Sequence, residues 1–410
     1  MEMDKCFMKK RYLIIISFLI LGSFCWLNFK IDNSAKDIIG VYIEGEYSTS
    51  VPLKDSGYYV DKIECDNGSS GEWDYVNWGL LTTNMSKKSK CNVYFRKDTI
   101  VEAIKNELDT TGKCPTVNSD GSVNVTSAES ENSLLCSAPD NYGTSYYYRG
   151  NVSNNYVYFA NFYWRIVRIN GDGSIRMIYD GTKAHANGEA SGDRIVGTSA
   201  FNEKIDDNAY VGYMYGTPGS ATYAETHANI NDSTIKKYVD SWYENNIKGA
   251  TSEQYIADNI FCNDRSFASD NSGTGYGNSI TNYRWHYLNN PNSIRIICSQ
   301  KNDSLTVSDK RNAANTLKYK IALLSADEAF LAGGIWNVYN DLYYLTSGGY
   351  FWVMSAKYYY NNAEIITVDH HGNVSDNGSN YSGNVKPVIN LKPNSLKSGD
   401  GTINNPYRIN

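Results

Sequence analysis

The densest group of side chains that could do chemistry is the tripeptide Asp369-His370-His371. Imidazole and carboxylate groups transfer protons or bind metals, but either role needs a further partner from elsewhere in the chain. Gly372 and Asn373 follow at once, and these residue types favour a tight turn. The sequence therefore predicts a surface turn, with contact to a ligand as the second interpretation and metal binding as the third.

Common catalytic motifs are missing from the chain. Neither G-x-S-x-G, H-E-x-x-H, a P-loop nor G-x-G-x-x-G occurs in the sequence. The net charge is -6, and no basic stripe lies beyond the N-terminus, which disfavours a nucleic-acid partner. We therefore expect no catalytic residues, no metal site and no cofactor, and we do not expect an enzyme.

A run of three tyrosines followed by two asparagines is a different kind of candidate site. Neighbouring side chains on a strand point to opposite faces, so a tyrosine run cannot bury every ring. Exposed tyrosine and asparagine side chains suit a glycan or a protein ligand. A tyrosine-rich rim over a strand edge is the alternative, and A/T-rich codons can account for the 35 tyrosines of the chain. The predicted ligand-binding residues are Tyr358, Tyr359, Tyr360, Asn361, Asn362, His370, His371 and Tyr381.

The cysteines predict disulfides and an oxidising compartment. The chain has eight cysteines, of which Cys6 and Cys25 lie in the N-terminal region. The remaining even number fits a disulfide framework, whereas zinc binding is disfavoured because no C-x-x-C occurs. Their order along the chain suggests the pairs Cys65–Cys91, Cys114–Cys136 and Cys262–Cys298.

A positively charged start and an apolar run predict a membrane anchor. Residues 1–11 carry four basic residues, and residues 12–29 are almost free of charge. Eighteen residues in a helix span about 27 Å, close to the thickness of the hydrocarbon core. The positive-inside rule places residues 1–11 in the cytoplasm and residues 30–410 outside the cell. Signal cleavage and lipidation of Cys25 stay open as alternatives.

Two further segments precede the main domain. Residues 36–98 contain short alternating stretches separated by turns, which predicts a small all-β immunoglobulin-like sandwich that acts as a spacer. Residues 99–140 are expected to form a helix, from Asp98 to Gly112, and a polar linker pinned by a disulfide.

Residues 141–410 are predicted to form an α+β domain. Strong alternation on both sides of Asn170-Gly171-Asp172-Gly173 predicts a β-hairpin, which we prefer to a calcium loop because the later acidic ligand is missing. Helices are expected at 233–243, 251–260 and 322–334, and short strands follow to the C-terminus.

Several strings in this domain, taken together, resemble a known family. In order they are GTSYYYRG, FYWRIVRINGDGSIRMIYDG, FCNDRS, LLSADEAFLAGG, YFWVMS and VKPVINLKP. This set resembles the DUF6273-type cell-surface proteins of gut Firmicutes and mycoplasma relatives. The resemblance implies a layout similar to the C-type-lectin-like fold of formylglycine-generating enzymes. The chain departs from those enzymes because Cys262 and Cys298 are far apart, and Lys386 stands where arginine is commoner.

Together these features predict a single-pass cell-surface protein. We expect its C-terminal module to bind a glycan or a protein outside the cell. A structural component of the cell envelope without a soluble ligand is the alternative, and an enzyme similar to the formylglycine-generating enzymes is the third possibility.

Overall fold

The computed structural model describes residues 39–54, 56–86, 89–286, 294–308 and 313–409. The predicted cytoplasmic tail and the anchor at residues 12–29 lie outside these ranges. Within them, no helix is both long enough and apolar enough to cross a membrane. Only 14% of the structure is helical, and β-strands are the predominant regular elements. The prediction of an α+β fold, and with it a C-type-lectin-like domain, is therefore wrong.

The first part of the structure is a four-stranded sheet covered by a hairpin. Alternating side chains of the last strand, Val93 and Phe95, are buried, and Phe95 packs edge-on against Trp73 of the hairpin with ring centroids 5.0 Å apart. The predicted immunoglobulin-like sandwich is wrong, because a two-stranded hairpin takes the place of a second sheet. The strands are β1 (Ile39–Ile43), β2 (Glu46–Ser48), β3 (Tyr58–Cys65), β4 (Ser70–Asp74), β5 (Gly79–Thr83) and β6 (Cys91–Lys97). The sheet order is β2-β1-β6-β3, and β4 pairs with β5.

A short helix and a long strand lead into the main body. The helix begins after Asp98, whose side chain accepts a hydrogen bond from the Val101 amide, and it buries Val101 and Ile104. It ends well before Gly112. Part of the predicted polar linker forms a strand with a largely buried face. The elements are α1 (Thr99–Lys105), β7 (Thr116–Val117), β8 (Val123–Asn124) and β9 (Ser133–Asp140).

The main body contains the remaining elements in chain order. They are β10 (Gly143–Gly150), β11 (Tyr156–Phe159), β12 (Phe162–Ile169), β13 (Ile175–Gly181), β14 (Thr198–Ala200), β15 (Met214–Tyr215), α2 (Tyr223–Thr226), β16 (Asn231–Asp232), α3 (Thr234–Asn246), β17 (Phe261–Cys262), β18 (Thr281–Asn282), β19 (Ser304–Leu305), β20 (Ile321–Ala322), α4 (Ala326–Ala332), β21 (Phe351–Tyr359), β22 (Ala363–Val368), β23 (Val374–Gly378), β24 (Ser382–Asn384), β25 (Val388–Leu391) and β26 (Tyr407–Arg408).

Two sheets share one hydrophobic core. The first has the order β20-β25-β13-β12-β10-β9, with β11 on β12 and β26 on β11. The second has the order β14-β24-β21-β22-β23, with β18 on β21. Trp164 of the first sheet and Trp352 of the second belong to the same buried cluster. Helix α4 contacts β10 on one side and β21, β22 and β23 on the other, so it joins the two sheets.

The helix expected at 233–243 is confirmed as α3, which extends to Asn246, but the other three predicted helices are shorter than the sequence predicts. The shorter helices explain the error in fold class. Residues 322–334 were expected to be helical, but Ile321 and Ala322 pair with β25. The helix α4 starts only after Ser325, which forms a capping box with Glu328. Of the predicted helix at 251–260, only a 3₁₀ turn over Thr251–Tyr255 forms.

The hairpin and the disulfides are confirmed. Strands β12 and β13 pair on both sides of the turn, where the Asn170 amide donates to the Ser174 carbonyl at 2.8 Å. The three disulfides join Cys65 to Cys91, Cys114 to Cys136 and Cys262 to Cys298.

Candidate functional site

The predicted ligand-binding residues lie at opposite ends of one strand. Residues 360–362 form the turn between β21 and β22, whereas residues 369–373 form the turn between β22 and β23. Because β22 has six residues and a strand rises roughly 3.3 Å per residue, the two turns are roughly 20 Å apart. The structure therefore does not bring the tyrosine run and the two histidines into one site.

The histidine turn is held by the side chain of Asp369. One carboxylate oxygen accepts hydrogen bonds from the backbone amides of His371, at 2.9 Å, and Asn373, at 3.0 Å. Gly372 has a φ of 71°, in the left-handed region that glycine adopts without strain. The predicted turn is thereby confirmed, and it leaves His370 exposed and His371 partly exposed.

A loop that the sequence did not single out packs against this turn. The Asn340 amide donates to the His371 carbonyl at 2.7 Å, and the Val374 amide donates to the Ile335 carbonyl at 3.2 Å. The Asp341 carboxylate lies 2.9 Å from His371 Nδ1. These bonds connect residues 335–341 to the turn at both of its ends.

The loop and the turn together present a row of three adjacent aromatic rings, which are tilted against one another. The centroid of the Tyr339 ring is 4.3 Å from that of His371, which is 4.0 Å from that of His370. Tyr339 is 71% exposed, and its neighbours Val338 and Leu342 are also exposed. We call this surface the Tyr339 patch, which consists of Val338, Tyr339, Asp341, Leu342, His370 and His371. The signal in the sequence is that Val338, Tyr339 and Leu342 are large apolar residues within a segment that otherwise contains asparagine and aspartate.

The Tyr339 patch combines aromatic, aliphatic and hydrogen-bonding groups. Its groups can stack on a partner, bury apolar surface and exchange hydrogen bonds through the His371–Asp341 pair. In the described part of the chain, no three histidine, cysteine or acidic side chains come together as a metal site would require.

At the other end of β22 lies the tyrosine run, and we call this region the tyrosine end. Its exposed surface is less continuous than the Tyr339 patch. Tyr359 is buried, and its hydroxyl donates to the Asn278 side chain at 3.3 Å. Tyr358 is half-buried against His286, with ring centroids 5.7 Å apart. Burial raises the pKa of the Tyr358 hydroxyl. Tyr360, Asn361 and Asn362 are exposed, as is Tyr381, which packs on Gly378 at the same end of the sheet.

Several clusters of buried charge lie inside the main body, and two of them are built on strands of the first sheet. In one, Arg168 pairs with Asp140 at 2.9 Å and with Glu328 at 3.0 Å, and Glu328 also pairs with Arg176 at 3.1 Å. The opposing charges are matched and hydrogen-bonded, so this cluster connects α4 to the first sheet.

In the other cluster, three cations share one carboxylate. Arg194 pairs with Asp180 at 2.7 Å, while Arg165 and Lys386 lie 3.8 Å and 3.7 Å from it. Burial lowers the pKa of Lys386 to about 7. A lysine with such a pKa can act as a base or a nucleophile, but Lys386 is only 1% exposed, so its role is structural.

Comparison of the chain with protein-family models, with curated proteins and with solved structures finds no match. The resemblance to the DUF6273-type family therefore remains a prediction.

Proposed function

We propose that this chain is a cell-surface protein that binds a protein ligand through the Tyr339 patch. The observation that carries the proposal is the 71% exposure of Tyr339 on a loop whose backbone is fixed to the histidine turn. Large, exposed and pre-ordered aromatic side chains contribute strongly to protein interfaces, because little side-chain entropy is lost on binding.

The neighbours of Tyr339 favour a protein over a glycan. Val338 is 44% exposed and Leu342 is 51% exposed, and both lie within four residues of Tyr339. Aliphatic side chains add buried apolar area at a protein interface, whereas sugar recognition depends on aromatic faces and polar side chains. A protein partner with an apolar centre and a hydrogen-bonding rim would complement this patch.

The proposed location is the outer side of a membrane. The three disulfides support an oxidising compartment, in which such bonds persist. Tethering by residues 12–29 belongs to the proposal and rests on the sequence pattern. The same holds for membership of the DUF6273-type family, which rests on the order of the six strings.

A glycan at the tyrosine end is a second candidate. Tyr360 is 58% exposed and Tyr381 is 62% exposed, and the exposed amides of Asn361 and Asn362 lie beside Tyr360. Aromatic faces combined with amide groups can stack on a sugar ring and bond its hydroxyls.

The proposal is tested with the full chain in lipid nanodiscs, probed against arrays of extracellular proteins and of glycans. We expect a protein ligand whose binding is lost in Tyr339→Ser and kept in Tyr360→Ser. A glycan hit lost only in Tyr360→Ser would favour the second candidate. Two empty arrays would contradict both candidates and favour a structural envelope component.

A further inference from the structure

A groove of about 330 Å³ lies between the β4–β5 hairpin and the main body. This volume falls within the range of about 300–1,000 Å³ that is typical of small-ligand sites. Trp73, Tyr75 and Tyr142 form aromatic walls. Asp172 and Asp258 supply half-buried carboxylates, and the exposed Glu72 supplies a third carboxylate. None of these residues belongs to the Tyr339 patch.

The walls of the groove are held in place before any ligand binds. The Tyr75 hydroxyl accepts a hydrogen bond from the Val60 amide at 3.2 Å, which fixes the ring beside β3. The Tyr142 amide donates to Asp140 at 2.8 Å. The tip of the β12–β13 hairpin packs on β3, since a Cβ at Gly173 would collide with the Tyr59 ring. The groove is therefore part of the folded structure.

The two half-buried carboxylates, Asp172 and Asp258, are oriented by neutral hydrogen-bond donors. Asp172 accepts from the amide of Ser174 at 2.9 Å and from Asn259 at 3.0 Å. Asp258 accepts from the amides of Val307 at 3.0 Å and Ser308 at 2.7 Å. Within the described ranges, neither carboxylate forms an ion pair. Two half-buried negative charges therefore face a cavity with aromatic walls, which favours a cation.

A second observation points to a ligand that also carries an acceptor. Trp73 is 5% exposed and lines the groove, and among the described residues its buried indole Nε1 finds no hydrogen-bond partner. A buried donor without a partner costs free energy, which an acceptor supplied by a ligand would recover.

We propose that this groove binds a basic side chain, of lysine or arginine, together with a neighbouring peptide carbonyl. The cationic group lies between Tyr75 and Tyr142 and faces Asp172 and Asp258. The carbonyl oxygen accepts a hydrogen bond from Trp73 Nε1. A basic peptide segment is thus the ligand class, and the site is independent of the function proposed for the Tyr339 patch.

The test is calorimetric titration of the full chain in nanodiscs with N-acetyl-arginine amide and its neutral analogue N-acetyl-citrulline amide. We expect the arginine compound to bind at least about tenfold more tightly, since only it carries the charge. Asp258→Asn should reduce that preference, and Trp73→Phe should weaken binding of both compounds. Asp400→Asn, a change at an exposed carboxylate outside the groove, is the matched control.

Equal affinity for the two compounds, or binding of neither, would overturn the proposal. So would butylammonium binding as tightly as N-acetyl-lysine amide, because the carbonyl would then contribute nothing. If Asp258→Asn fails to fold, the salt dependence of arginine binding by the unaltered chain decides. Loss of affinity at high salt supports the charged contact, and constant affinity contradicts it.

Discussion

The positive charge of Lys386 opposes folding, because the side chain is buried in the folded protein. It is fully buried and shares Asp180 with Arg165 and Arg194, and burial lowers its pKa from 10.5 to about 7. Between these two values the unfolded chain binds more protons than the folded chain, so stability rises with pH across this window. Below about pH 7 both states are protonated, and the full cost of burying the charge is present.

Lys386→Met should therefore stabilise the protein at about pH 6 by roughly 2–4 kcal/mol, with a smaller gain near pH 10. Asp180 keeps its pair with Arg194 in this variant. Urea unfolding with the disulfides intact measures the change, and Lys301→Met, at an exposed lysine, is the control. A gain that does not depend on pH, or a loss at pH 6, would show that Lys386 is not the group responsible.

Glu328 is the residue through which α4 is tied to the first sheet. Burial raises its pKa, but the attraction of Arg176 and Arg168 is larger in sum, and the pKa of the carboxyl lies below its usual range. Its contribution to stability is therefore present above the ordinary glutamate pKa and is lost as the pH falls through the lower, folded value.

Glu328→Gln should destabilise the protein by roughly 3–5 kcal/mol near neutral pH, because two buried guanidinium groups lose a shared carboxylate. Chemical unfolding at neutral pH measures the change, with the exposed Glu131→Gln as the control. The difference between the variant and the parent should shrink in acid. A loss that is below about 1 kcal/mol would be typical of an exposed ion pair and would contradict this account.

Among the secondary-structure elements, the turns and helix starts that depend on a few adjacent residues are predicted well from the sequence. The glycine and asparagine residues between two alternating segments are enough to predict the turn at Asn170 to Gly173. The cap at Asp98 is enough to predict the start of α1. The disulfides follow from order along the chain. The start of α4 was missed because Ile321 and Ala322 pair with β25, and no local pattern encodes a strand partner far away in sequence.

The turn at Gly372 connects element geometry to the Tyr339 patch. A Cβ at this position would lie 2.4 Å from the Asn340 carbonyl oxygen, at a φ of 71°. Gly372→Ala should therefore displace the loop from the turn and destabilise the protein by roughly 1–3 kcal/mol. It should also weaken ligand binding without altering any exposed side chain of the patch.

Gly45→Ala is the matched control for this variant, because Gly45 has a φ of 90° and open space around it. It should cost a similar backbone strain and leave ligand binding unchanged. The two variants are compared by thermal unfolding and by affinity for the ligand. Unaltered binding by Gly372→Ala would mean that the order of the loop does not matter for recognition.

Over the whole chain, the alternation of apolar residues predicts strands correctly. The helical spacing of apolar residues predicts three helices that are longer than those in the structure. The two sheets and α4 share one core, and the candidate surfaces lie where strands of the second sheet turn. The sequence predicts ligand contacts both for the tyrosine run and for the histidines, without a distance between them. In the structure the two groups lie at opposite ends of β22. Their separation could not be predicted from the sequence, because it depends on the pairing of β22 with β21 and β23.

Site-specific photo-crosslinking determines whether a protein ligand binds at the Tyr339 patch. A benzoylphenylalanine is introduced in place of Tyr339 or, as the control, in place of Tyr47, which is 57% exposed on β2. With the ligand from the extracellular-protein array, we predict a crosslinked product at position 339 and none at position 47. A product at position 47 alone, or equal products at both positions, would contradict binding at the Tyr339 patch.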